Sequence, residues 1–142
     1  MDLQLPAHPV ADRVAVFGAL QPLQNLTCAG LDGPGCIKHM WVCVGANSLR
    51  RTTRYASRKA ILRIHFDDEL VPHVEAPVGD FFGVMHGQDW YPINNHYLSV
   101  QAWNGYICYF PMPFARSARV EIENGRERSH PLSALIWLTG SA

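Results

Sequence analysis

The run Ala118-Arg119-Val120-Glu121-Ile122-Glu123 alternates apolar and charged residues without a break. A period of two buries a single face only when the backbone is extended, so this run reads as a strand. Asn124-Gly125 follows it as a turn signal. Nothing in the chain reads as a long amphipathic helix, and ten prolines and eleven glycines punctuate it into short pieces. Strands are expected near 13–19, 24–30, 36–44, 60–66, 72–76, 96–101, 105–110, 117–123 and 132–138. Eight or nine short strands with turns between them predict an all-β fold, a single jelly-roll β-sandwich over residues 1–142.

The segments Ala60–Phe66 and Pro72–Ala76 fix a register as well as a strand pair. With Asp67–Val71 as the connection, Phe66, Ile64 and Leu62 oppose Pro72, Val74 and Ala76, all apolar. The other face then sets His65 against His73 and Arg63 against Glu75. A shorter connection mixes polar and apolar residues on both faces, so the five-residue loop is preferred. His65 and His73 are expected to face each other in solvent and to hinder each other's protonation. Two imidazoles without a further ligand do not close a metal site. The histidines at 39, 65, 73, 86, 96 and 130 also lack the His-x-His spacing of cupin-type centres, so neither a metal nor a cofactor is expected. Glu121 and Glu123 share a face with Arg119 and read as a solvated strand surface, not a catalytic pair.

Composition excludes some functions. Lys plus Arg equals Asp plus Glu, at twelve each, and binding nucleic acid needs a basic surplus or a strongly basic face. The first residues carry neither a basic nor an apolar leader, and no run reaches the ~18 apolar residues of a membrane-spanning helix. A cytoplasmic protein without a membrane or nucleic-acid partner is therefore expected. Cys28, Cys36, Cys43 and Cys108 have no Cys-x-x-Cys spacing and are expected to be free, mostly buried thiols. On a regular strand Cys36 and Cys43 would point to opposite faces. The basic segment Arg50–Lys59 reads as a connection with room for one helical turn, exposed or docked against acidic residues of a neighbouring subunit.

Candidate site residues concentrate between Gly79 and Tyr97. Gly79-Asp80-Phe81-Phe82-Gly83 is a glycine-bracketed bend, and His86, Asp89, Trp90, Asn94 and Asn95 follow it in a stretch too long for a simple hairpin turn. Rings beside amide, carboxylate and imidazole groups suit a sugar, whose C–H face stacks while its hydroxyls take short hydrogen bonds. One of the adjacent Phe81 and Phe82 is expected in the core and the other toward the loop. Asp80, directly after Gly79, is expected to cap backbone amides.

Four motifs in order carry a family resemblance. They are Gly33-Pro34-Gly35-Cys36-Ile37-Lys38-His39-Met40-Trp41, Val74-Glu75-Ala76-Pro77-Val78-Gly79-Asp80-Phe81-Phe82-Gly83, Cys108-Tyr109-Phe110-Pro111-Met112-Pro113-Phe114 and Ser117-Ala118-Arg119-Val120-Glu121-Ile122-Glu123-Asn124. Over about residues 30–138 the chain resembles the N-terminal jelly roll of glycoside hydrolase family 172. The resemblance implies a jelly roll, a homo-oligomer (trimer or hexamer) and a furanoside sugar as ligand, of the fructofuranose or arabinofuranose kind. It also implies a retaining pair of glutamates in a second jelly roll, which is not expected in these 142 residues. It carries over Asp80, Phe82, His86 and Asn94 as site-loop positions and no nucleophile. The expected function is a self-associating, furanoside-binding jelly roll without autonomous hydrolysis. The alternative is a purely structural, capsid-like assembly protein with no carbohydrate function. The residues leave open whether the chain is an enzyme.

Overall fold

The computed structural model describes residues 11–44, 56–84, 92–101, 105–125 and 130–140. Eleven strands and two single-turn helices occur among them. In order they are β1 (Ala11–Leu20), β2 (Asn25–Asp32), β3 (Gly35–Val44), α1 (Ala56–Lys59), β4 (Ala60–Phe66), β5 (Val74–Pro77) and α2 (Val78–Phe81). After these come β6 (Ile93–Asn94), β7 (Leu98–Gln101), β8 (Gly105–Cys108), β9 (Met112–Phe114), β10 (Ser117–Asn124) and β11 (His130–Gly140). No described helix is long and apolar enough to cross a membrane.

The pairing is nested. The first strand pairs with the last, β1 on β11, and the second with the one before it, β2 on β10. Next, β3 pairs with β8 and β9, and β4 with β5. The result is one sheet ordered β1-β11-β3-β8-β7-β6, with β9 also on β3, and a second ordered β2-β10-β4-β5. All pairs are antiparallel, and this wrapped order is that of the expected jelly roll.

Between the sheets lies a core that follows the alternation. Met40, Val42 and Val44 of β3 point inward, as do Leu62 and Ile64 of β4 and Val120 and Ile122 of β10, all fully buried. The β4–β5 register is the expected one, with Leu62 opposite Ala76, Arg63 opposite Glu75 and Ile64 opposite Val74.

Several finer expectations need correction. His65 and His73 do not face each other in solvent. His65 is only 7% exposed; its Nδ1 lies 3.1 Å from the Glu69 carbonyl, and its Nε2 lies 3.5 Å from Glu121. His73 turns instead to Phe66, whose N–H donates to His73 Nδ1 at 3.3 Å. The 67–71 loop closes over a position that alternation alone would leave in water. Bulges also interrupt two strands. One falls at Lys38, because Trp137 pairs with His39 while Leu138 pairs with Ile37. It shifts the alternation by one, so Cys36 and Cys43 fall on the same side of β3. The four cysteines are free; Cys28 and Cys108 are buried, Cys36 and Cys43 half-buried. β9 lies outside the expected strands and contains Pro113. It survives at an edge, where a missing N–H costs little.

Asp67 ties the β4–β5 loop to the β9–β10 turn, which itself holds the β2–β3 turn through Gly33. Its carboxylate accepts the N–H groups of Ala115 at 2.8 Å and Arg116 at 2.6 Å. Arg116 returns a hydrogen bond from Nη2 to the Asp67 carbonyl at 2.5 Å. Gly33 donates to the Arg116 carbonyl at 2.6 Å, and a Cβ there would sit 2.8 Å from the Phe114 ring.

Candidate functional site

The glycine-bracketed bend folds as the single turn α2. Gly79 lets α2 press against α1, since a Cβ would lie 2.9 Å from Ser57 Oγ. Gly83 ends the turn at φ +81°, a conformation in which other residues are strained. Phe82 is fully buried and touches Tyr106 across the core, with ring centroids 5.3 Å apart. It therefore anchors the bend from inside and offers no surface to a ligand, which corrects its expected place in a sugar site. Phe81 is the half-exposed partner, so one of the two lies in the core as expected, although the segment is a helical turn and not the extended stretch the alternation assumed. The Asp80 carboxylate meets Arg58 Nη1 of α1 at 3.2 Å and does not cap backbone amides. Arg58 is thus docked within the chain, while Arg50, Arg51 and Arg54 lie outside the described residues. His86, Asp89 and Trp90 also lie outside them.

Asn94 and Asn95 build the β6–β7 hairpin. Asn95 Oδ1 accepts the N–H groups of Tyr97 at 2.9 Å and Leu98 at 2.8 Å, which fixes the orientation of its amide. Its side chain therefore pins the turn, a common use of Asn. Asn94 stands opposite Ser99 and accepts the Ser99 hydroxyl at 2.5 Å. With both acceptor oxygens occupied, each amide nitrogen still carries two N–H donors, and neither has a partner among the described residues.

Beside this hairpin lies a feature that the sequence reading did not assemble. The register of β3, β8 and β7 continues into a row of His39, Tyr109 and Tyr97 on the outer face of the larger sheet. Tyr109 N–H donates to the Tyr97 carbonyl at 2.8 Å. The Tyr109 ring lies against His39 at 4.8 Å, and Tyr97 stacks on Phe110 at 4.8 Å and 12°. His96 meets the edge of Tyr97 at 5.1 Å. Tyr97, Tyr109 and Phe110 are 45%, 49% and 38% exposed, a rare cost for three adjoining rings unless something covers them. Burial pushes the His39 imidazole below its ordinary pKa, which favours its neutral form. The patch brings together five rings with Asn94, Asn95 and Ser99.

The other outer face is its opposite. Arg63 binds Glu75 at 2.6 Å and Glu123 at 2.5 Å, and Arg119 binds Glu121 at 3.0 Å. Next to them an open depression of about 310 Å³ is lined by His65, Asp68, Glu69, Leu70 and Arg119, among others. Asp68 within it is held by Arg116 at 3.4 Å and by the Ser117 hydroxyl at 2.6 Å. Arg119, Glu121 and Glu123 form ion pairs on this face; Arg119 lies in solvent as expected, whereas the Glu121 side chain is only 12% exposed, packed between Arg119 and His65. Among the described residues no three His, Cys, Asp or Glu side chains gather as metal ligands would.

Fold and surfaces together define an antiparallel jelly-roll domain with a charged outer face on the smaller sheet and an aromatic and amide patch on the larger one. Residues 14–135 match the model of the GH172 domain-like family, and the chain belongs to that family. It is accordingly a glycoside-hydrolase-related domain. A search of curated proteins gives no match.

Proposed function

We propose that this domain binds neutral furanoside glycans on the ring patch beside the Asn94–Asn95 hairpin, and that it does so as a homo-oligomer. The observation that carries the reading is the row of exposed rings next to two amides whose N–H donors have no partner among the described residues. Ring faces match the C–H face of a sugar, and N–H donors match its hydroxyl and ring oxygens. A site without fixed charge among its described residues favours an uncharged ligand, because it gains nothing from a carboxylate or phosphate. Family membership supports carbohydrate as the class.

Hydrolysis by these residues alone is not part of the reading. A retaining mechanism needs two carboxyl groups about 5–5.5 Å apart. Asp80 is held by Arg58, and the described residues of the ring patch bring no carboxyl group. Self-association is supported by the family resemblance, and the zero net charge opposes no such association.

The test is an amide-shift titration with an arabinofuranosyl or fructofuranosyl oligosaccharide, run beside a pyranosyl control. Millimolar affinity is expected, with shifts at Asn94–Leu98 and Tyr109–Phe110 that vanish in Tyr97→Ala. Saturating sugar that leaves these amides unmoved would refute the glycan reading and favour a purely structural assembly protein.

A further inference from the structure

Each sheet has edges, and an unpaired strand edge is a template for another strand unless it is guarded by brevity, proline, charge or a bulge. Nearly every described edge here carries such a guard. β6 has two residues and follows Pro92; β9 has three and contains Pro113. β5 has four and ends in Pro77. β2 is bent by a bulge at Cys28, because Val120 pairs with Ala29 while Glu121 pairs with Thr27.

β1 is the exception. It is ten residues long and pairs with β11 over its whole length without a register shift. No described strand lies on its other side. From Val14 to Leu20 it reads Val-Ala-Val-Phe-Gly-Ala-Leu, with no charge and no proline.

We infer that the edge of β1 that no described strand covers docks a second copy of this chain by antiparallel strand addition about a two-fold axis. The inference rests on the self-association in the reading above and says where it occurs. The strand is complementary to itself. Registers that keep the two faces of the sheet in line pair odd positions with odd and even with even. Centred on Ala15, that rule sets Val14 against Val16, Arg13 against Phe17 and Asp12 against Gly18. No like charges are opposed, and the zero net charge of the chain adds no long-range repulsion between copies. A peptide from an unrelated protein would need no such symmetry. The docked pair joins two larger sheets into one continuous sheet and leaves no free β1 edge.

The experiment uses Ala15, which register places in the row of Leu135 and Trp41, at the centre of the proposed contact. Sedimentation velocity from about 1 to 100 µM compares wild type, Ala15→Lys, Ala15→Glu and their equimolar mixture. Wild type should sediment at twice the 15.9 kDa chain mass or a larger even multiple. Each single variant should halve that mass, since like charges directly opposed destabilise a strand pair, and the mixture should restore it. A wild-type oligomer unchanged in both variants overturns the β1 contact and leaves self-association standing. A wild-type monomer overturns both. Hydrogen exchange on the unmodified protein guards against misfolded variants. Protection of amides in 11–20 should rise at least tenfold between dilute and concentrated samples, and equal protection overturns the contact.

Discussion

Replacing Phe82 by alanine tests whether the bend is held from inside the sandwich. Its ring has no exposed surface, meets Tyr106 at 5.3 Å and stands edge-on to Phe81 at 5.0 Å and 80°. Removing a buried phenylalanine costs ~3–5 kcal/mol, as lost transfer energy plus the cavity left behind. Each ring–ring contact adds ~0.5–1.5 kcal/mol beyond area, which places the expected loss in the upper half of that range, about 4 kcal/mol. With a urea slope of ~2 kcal/mol/M, the unfolding midpoint should fall by about 2 M. Phe81 is only half-buried, so its truncation should cost roughly 1–2 kcal/mol and move the midpoint by less than about 1 M. Equilibrium urea unfolding of both variants, followed by far-ultraviolet circular dichroism, gives the two numbers. Equal, small losses would show that α2 does not hang from Phe82 and that the account of this bend is wrong.

Two further outcomes follow from titratable groups. The backbone N–H of Arg116 above all, then those of Ala115 and Ser117, hold the Asp67 carboxyl below its ordinary value of 3.8 against a smaller opposing effect of burial. A carboxyl lowered in the folded state stabilises it above the unfolded pKa, and that contribution is lost as pH falls through the folded value. Asp67→Asn should therefore lose stability near pH 7, and the gap to wild type should narrow as pH falls below 3.8. A stability gap independent of pH would contradict the clamp. Burial, followed by the charge of Glu121, pushes the Cys28 thiol up to about 12. At pH 8 about one molecule in 10⁴ then carries the thiolate. Iodoacetamide mapping of the native protein should label half-buried Cys36 and spare Cys28, and equal labelling would refute this environment.

The fold was legible where one physical rule acted alone. In β4 and β5, burial of a single face dictated alternation, and alternation dictated register, so Ile64 met Val74 as expected. His65 escaped that rule because the 67–71 loop packs over it, and the packing of a loop leaves no period in the sequence. Cys36 and Cys43 escaped it because one extra residue at Lys38 resets the count. The site was legible only in part. Asn94 and Asn95 stood out as a local cluster, whereas His39, Tyr97 and Tyr109 lie on three strands and meet only once β3, β8 and β7 are in register. Their outward phase was readable from the alternation of each strand; their adjacency required the topology.

The nesting of first strand with last bears on the order of events during synthesis. β1 ends at residue 20 and its sole described partner begins at residue 130, a separation of 130 − 20 = 110 positions. At ~5–20 residues per second, β11 follows roughly 5–20 s behind β1. For that interval Val14–Leu20 has neither neighbour, and the nascent chain carries an apolar strand open along both sides. β2 waits similarly for β10, whereas β4 and β5 can close at once. The hairpin at the middle of the chain is thus the natural starting point of folding, with the sandwich growing outward toward both ends. This jelly roll closes last at the strand made first, and its most exposed moment comes on the ribosome, before the native state exists.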